Sequence, residues 1–152
     1  MAEVNVTRTK LAQVAGTKAT ASAHNRLRMA VVTMAAAYAA PAQNDVAGTA
    51  IVLQKGTRLA GPVTVSSAAG TASSTLSVGL RNPVTLVAID ATAIVNAASI
   101  AAAATAQVNT GTKLLTGQDY VLDQDAEIYL TFGGAAGSAN QQIRVEIPYV
   151  AP

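Results

Sequence analysis

Aliphatic side chains at every second position are the feature that most narrows what this chain can become. In "QQIRVEIPYV", Ile143, Val145 and Ile147 alternate with Arg144 and Glu146; in "AEIYLTF", Ile128, Leu130 and Phe132 share one side. A period of two belongs to a strand with one buried and one solvated face, whereas a helix needs repeats at three and four. "STLSVGLR" (74–81) repeats the pattern with Leu76, Val78 and Leu80. Turn formers stand between such runs: "KG" at 55–56, "RNP" at 81–83, and "GGAAGSAN" at 133–140, which reads as a hairpin loop. Eight or so short strands predict an antiparallel β-sandwich. Ile128, Leu130, Phe132, Ile143, Val145 and Ile147 are expected to be buried in one sheet face.

"NRLRMAVVTMAAAYAAPAQND" (25–45) has the grammar of an export signal, with basic residues leading into an apolar run that closes on alanines. It begins about two dozen residues into the chain, and its uncharged part is shorter than the roughly 18–20 apolar residues a bilayer requires. We read it as a strand over 27–38. Leu27, Met29 and Val31 alternate with Arg26, Arg28 and Ala30, which puts charge on one face and makes this the first core strand. "TAIVLQ" (49–54) and "TLVAID" (85–90) are further strands. "TRLAGPVTVSS" (57–67) is a strand that Gly61–Pro62 interrupts, marking an edge or a bulge. Residues 91–112 carry no charge and much alanine; the reading is a strand flanked by loop, with a short helix as the alternative.

Charge divides the chain in two. Residues 1–28 hold Arg8, Lys10, Lys18, Arg26 and Arg28 against Glu3 alone, a net +4; the five basic and seven acidic residues that follow give −2. Residues 1–25 are rich in Thr, Ala, Ser and Lys, which predicts an extended basic arm (1–25) ahead of a sandwich domain (26–152). The five basic residues are the candidate contacts to an acidic partner.

The residues that carry chemistry are scarce. There is no cysteine, and the single histidine, His24, lies in the arm, where nothing fixes it beside a nucleophile. Asp119, Asp123 and Asp125 cluster, but without the glycine and terminal glutamate of a calcium loop, and read as turn residues. No glycine run has the spacing of a phosphate cradle, and "NVT" (5–7) is a glycosylation triplet of the kind that occurs by chance. The arm lacks aromatic rings for base stacking, which disfavours nucleic acid. No catalytic residue, metal, cofactor, small-molecule substrate or membrane contact is expected. Only 12% of residues are charged and 51% are apolar, a surface suited to contact with protein.

The order of the pieces resembles the capsid decoration (cement) proteins of tailed bacteriophages. The resemblance spans residues 26–150. It rests on "RLR" at the first strand, on Lys55, Gly56 and Arg58, on Thr75, Leu76, Ser77, Val78 and Gly79, on Ile128, Tyr129, Leu130 and Thr131, and on Gly133 and Gly134. It implies a jelly-roll β-sandwich that forms a homodimer or homotrimer and clamps across joints between major capsid subunits on the virion surface, after synthesis in the host cytoplasm. The arm lies outside the pattern. A carbohydrate-binding or adhesive sandwich of a fibre or tail is the alternative, and the few rings available to it are Tyr38, Tyr120, Tyr129, Tyr149 and Phe132.

Overall fold

The computed structural model describes residues 27–34, 37–115 and 120–152. Its strands are β1 (Leu27–Met34), β2 (Val46–Leu53), β3 (Arg58–Leu59), β4 (Val63–Ser67), β5 (Thr75–Arg81), β6 (Ala88–Ser99), β7 (Ala104–Val108), β8 (Ala126–Gly133) and β9 (Ile143–Val150). One sheet has the order β1-β9-β4-β7, with β3 also on β9; the other has the order β2-β8-β5-β6. All pairings are antiparallel. β3 and β4 lie along the same edge of β9, so they are one strand broken at 60–62, where the Gly61–Pro62 bond is cis. Counted that way, eight strands shuttle between two sheets as two interleaved Greek keys, the jelly-roll topology. Among the described residues no segment is helical, so 91–112 resolves into β6, a short turn and β7.

The inward faces are those the alternation marks. Leu76, Val78, Leu80, Ile128, Leu130, Phe132, Ile143, Val145 and Ile147 are all buried, while Arg144 is exposed and Glu146 partly so. Burying each such aliphatic or aromatic side chain stabilises the fold by roughly 1.5–3 kcal/mol. Two expectations about them are corrected. The six residues of β8 and β9 face each other from opposite sheets and do not share one sheet face. "GGAAGSAN" is therefore a crossing between sheets and not a hairpin: β8 pairs with β2 and β5, and β9 with β1, β3 and β4. A glycine-rich loop looks the same in either role. Gly134 takes φ +69, and a Cβ there would meet the Ser73 carbonyl oxygen at 2.1 Å.

Two further corrections and one settled alternative concern strands. β1 is inverted. Ala30 and Val32 point inward at 6% exposure each, while Leu27, Met29 and Val31 lie outward at 63, 51 and 41%. The register sets the face, because Ala30 sits opposite Ile147 and Val32 opposite Val145, both core residues of β9. β4 is flanked on both sides, so of the two readings of Gly61–Pro62 the edge is excluded and the bulge holds, with the register on β9 slipping across 60–62. β6 begins at Ala88, leaving 85–87 in the preceding turn.

Candidate interaction surface

Strand direction sorts the loops onto the two ends of the sandwich. Segments 37–45, 68–74, 100–103 and 134–142 meet at one end; segments 54–57, 82–87, 109–115 and 120–125 occupy the other, along with the start of β1 and the end of β9.

The first end is cross-linked by polar side chains. Asn140 Oδ1 accepts the Ala37 and Tyr38 N–H groups at 2.8 and 3.0 Å, and the Tyr38 hydroxyl donates to the Gln141 carbonyl. Buried Gln141 donates through Nε2 to the carbonyls of Ala68 (2.8 Å) and Ile100 (2.7 Å), so one side chain joins three loops. Thr71 and Ser138 hydroxyls lie 3.0 Å apart, and main-chain bonds run from Gly137 to Pro41 and from Gly70 to Ala101. Beside this end an open groove of about 560 Å³ is lined by Met34, Ser66, Ser67, Thr105 and Arg144 among others. Among the described residues no aromatic ring lines it.

The second end is held by main-chain bonds and by acceptor side chains, and it displays aliphatic side chains. Gly56 N–H donates to Leu122 C=O and Leu122 N–H to Thr57 C=O, both at 2.8 Å; Lys55 N–H reaches Asp125 Oδ1 at 2.8 Å. The 109–115 segment lies along β6, with Thr112 and Lys113 N–H groups on the carbonyls of Thr92 and Ala93. Gly111 permits this approach, since a Cβ there would stand 2.3 Å from Ile94 main-chain atoms. Asp90 fixes the same segment, accepting the Thr92 N–H and hydroxyl and the Thr112 hydroxyl. Burial pushes its carboxyl up, but the Thr112 and Thr92 donors and the Lys113 charge outweigh this and hold it below the ordinary carboxylate value.

The 82–87 turn projects from this end. Asn82 Oδ1 accepts the Val84 and Thr85 N–H groups at 2.9 Å each, its N–H donates to Val87 C=O, and its C=O accepts from Leu86 N–H. The turn thus fixes its own backbone while Val84 (87% exposed), Leu86 and Val87 point into solvent. Leu86 sits at φ +59, a left-handed conformation that costs a bulky residue about 1–2 kcal/mol. Leu115 and Val121 are exposed at the same end.

A largely buried ion pair roots the turn. Arg81 Nε and Nη2 donate to Glu127 Oε2 and Oε1 at 2.8 and 3.0 Å, and the guanidinium lies 5.5 Å from the Tyr129 ring centre. Glu127 also accepts the Ala50 N–H at 3.1 Å, which pins the bulge in β2. The Arg81 hydrogen bonds, helped by Ala50, hold the Glu127 carboxyl below its ordinary value against burial. Sequence reasoning missed this pair. The one available signal was a glutamate and an arginine on the outward positions of two otherwise apolar strands.

Of the five candidate contacts, Arg8, Lys10, Lys18 and Arg26 lie outside the described residues, as do the arm, His24 and Asp119. Arg28 is exposed at the start of β1, opposite Tyr149. Asp125 serves the Lys55 turn, and among the described residues no three carboxylates or imidazoles gather as metal ligands. None of the five aromatic rings is exposed: Phe132 and Tyr129 are buried, and Tyr38, Tyr120 and Tyr149 partly so.

No protein-family model matches the chain, and neither does any curated protein. Its fold is similar to solved ones. A chain in the capsid asymmetric unit of cyanophage Pam1 aligns with a TM-score of 0.62 at 19% identity, over 84% of this chain and 86% of that one. A chain in the capsid of Ralstonia phage GP4 aligns with a TM-score of 0.64 at 15% identity, over 84% and 85%. At such identities the likeness establishes a shared β-sandwich fold.

Proposed function

We propose that this chain is a structural protein of a tailed-phage virion that decorates the outer surface of the head, binds across neighbouring major capsid subunits and stabilises the shell without chemistry of its own. The observation that carries this reading is the fold, shared along most of the chain with chains from two phage capsid structures. The 82–87 end is the surface offered to the shell. Its turn is already ordered, so docking spends little conformational entropy, and covering its exposed aliphatic side chains removes apolar area from water. Arg8, Lys10, Lys18, Arg26 and Arg28 add attraction for an acidic patch. A protein that binds only the assembled shell stabilises that state by mass action.

The test is co-sedimentation of the purified chain with empty capsids, alongside cell-surface glycan. Saturable binding to capsids alone is expected. Binding to glycan alone would replace this reading with the adhesive one, which the lack of exposed aromatic rings disfavours. Replacing Arg8, Lys10 and Lys18 together by alanine should weaken capsid binding most at low salt, because exposed charges are screened over about 10 Å at 0.1 M.

A further inference from the structure

We infer that β1 is the seat of a two-fold contact between copies of this chain, in which the strand pairs antiparallel with its counterpart and the two sheets run on as one. A sheet edge presents unpaired N–H and C=O groups, and proteins guard such edges with bulges, short strands, charge or a covering segment. Three of the four edges here are guarded. β2 slips register between Gly48 and Val52. β6 shifts repeatedly against β5 and is covered by the bonds from Thr112 and Lys113. β7 has five residues, "ATAQV".

β1 has no bulge, is not short and has no covering segment among the described residues; its one charge, Arg28, stands next to its first residue. Its eight residues pair with β9 without a slip, and among the described residues no strand lies on its other side. Its outward face carries exposed Leu27, Met29 and Val31, with Val150 opposite Leu27 and Pro148 opposite Met29. Register carries the apolar stripe from Leu27 and Met29 onto β9; it stops at Val31 and Thr33, which face the paired Glu146 and Arg144 one strand in from the free edge. Its nearest charge on the same strand, Arg28, belongs to the other face.

A second copy is the occupant these features fit. A two-fold contact brings a patch against itself, so the patch must be self-complementary. An uncharged stripe meets itself without repulsion, and the donors and acceptors of an antiparallel edge are complementary to their own two-fold image. Side chains directly opposite each other share a sheet face, so a pairing that keeps the core inward sets odd-numbered residues of β1 against odd-numbered ones. Centred on Ala30, it places Met29 opposite the partner's Val31 at two equivalent points and Leu27 opposite the partner's Thr33. The inference sharpens the self-association implied above and holds whether or not the chain decorates a capsid.

Sedimentation and hydrogen exchange of the full chain, without capsids, test it over about a hundredfold range of concentration. A dimer is expected, with the amides of Leu27–Met34 gaining protection as concentration rises. Met29→Lys and Val31→Lys, both at exposed positions, should each weaken the dimer at least about tenfold by placing like charges together. Val84→Lys, on the distant turn, should leave it unchanged. The chain has no cysteine, so Met29→Cys mixed with Val31→Cys should cross-link faster than either variant alone. A trimer, a monomer at every concentration, or a dimer indifferent to both lysines would overturn the inference. A monomer whose β1 amides are protected independently of concentration would overturn it by assigning the edge to the chain's own N-terminal residues.

Discussion

The two ends of the sandwich both tie their loops with hydrogen bonds but differ in what they leave exposed. At the 134–142 end, Asn140, Gln141 and Tyr38 spend their polar groups on neighbouring loops, and what faces outward is alanine (Ala39, Ala40, Ala42, Ala136, Ala139) and polar residues such as Gln43 and Gln142, with no exposed large aliphatic side chain in its loops among the described residues. At the 82–87 end main-chain bonds, the carboxylates of Asp90 and Asp125, the Asn82 amide and one ion pair hold the loops, and the aliphatic side chains face solvent. Side chains consumed in cross-linking loops cannot also contact a partner. The first end is thus built for stability and the second for contact, and substitutions at the two should separate those properties.

The largest effect is expected where the contact end carries its own structural burden. Glu127→Ala leaves the Arg81 guanidinium largely buried without its carboxylate and frees the β2 bulge. Breaking such a pair from one side costs about 3–5 kcal/mol. Urea denaturation measures it; a loss under about 1 kcal/mol would show that the root of the turn is held by packing alone.

Next comes the cross-linked end. Gln141→Ala removes the donor to two carbonyls in a buried setting, at about 1–3 kcal/mol for each group left unsatisfied. We expect a total of roughly 2–4 kcal/mol, with capsid binding by the remaining folded protein unchanged. A variant of native stability that no longer binds capsids would reverse the assignment of the two ends.

Acid should act mainly on the contact end. Glu127 and Asp90 are both held below their ordinary values, so the stability they contribute is present above the unfolded carboxylate range near pH 4 and is lost as pH falls through the lower folded values. Melting temperature should therefore hold steady from pH 7 to about 5 and fall below about 4. Combining Glu127→Gln with Asp90→Asn should flatten that fall. An unchanged acid profile would mean that other carboxylates govern it.

Large aliphatic residues on a regular alternation made β5, β8 and β9 legible from sequence. There the apolar and polar sets differ so strongly that only one face can be buried. β1 failed because Arg28 shares its parity with the core residues Ala30 and Val32: it stands exposed at the start of the strand, so its charge does not mark the solvent face. Ala30 and Val32 face the core, while Leu27, Met29 and Val31 face out, a choice made by β9 and not by local composition. The 134–142 crossing was misread as a hairpin because pairing partners are distant in the chain. For the same reason, nothing local to Arg81 announces Glu127, 46 positions away. The arm and four of the five basic candidates lie beyond the described residues, so they remain proposals.

The smallest change in stability should give the clearest functional separation. Leu86 holds a left-handed conformation with its side chain in water, so it contributes little to the fold and carries a conformational cost. Asparagine adopts that conformation more readily and offers no apolar surface. Leu86→Asn should leave stability unchanged or raise it by up to about 1 kcal/mol. It should also remove one of three neighbouring aliphatic anchors while leaving the Asn82 bonds that shape the turn intact. If the turn docks on the shell, capsid affinity should fall by about tenfold, the equivalent of 1.4 kcal/mol. Co-sedimentation and thermal melting on the same preparation decide it. Undiminished binding would show that the exposed aliphatic residues of this end face solvent in the assembled particle, and that the shell is gripped elsewhere.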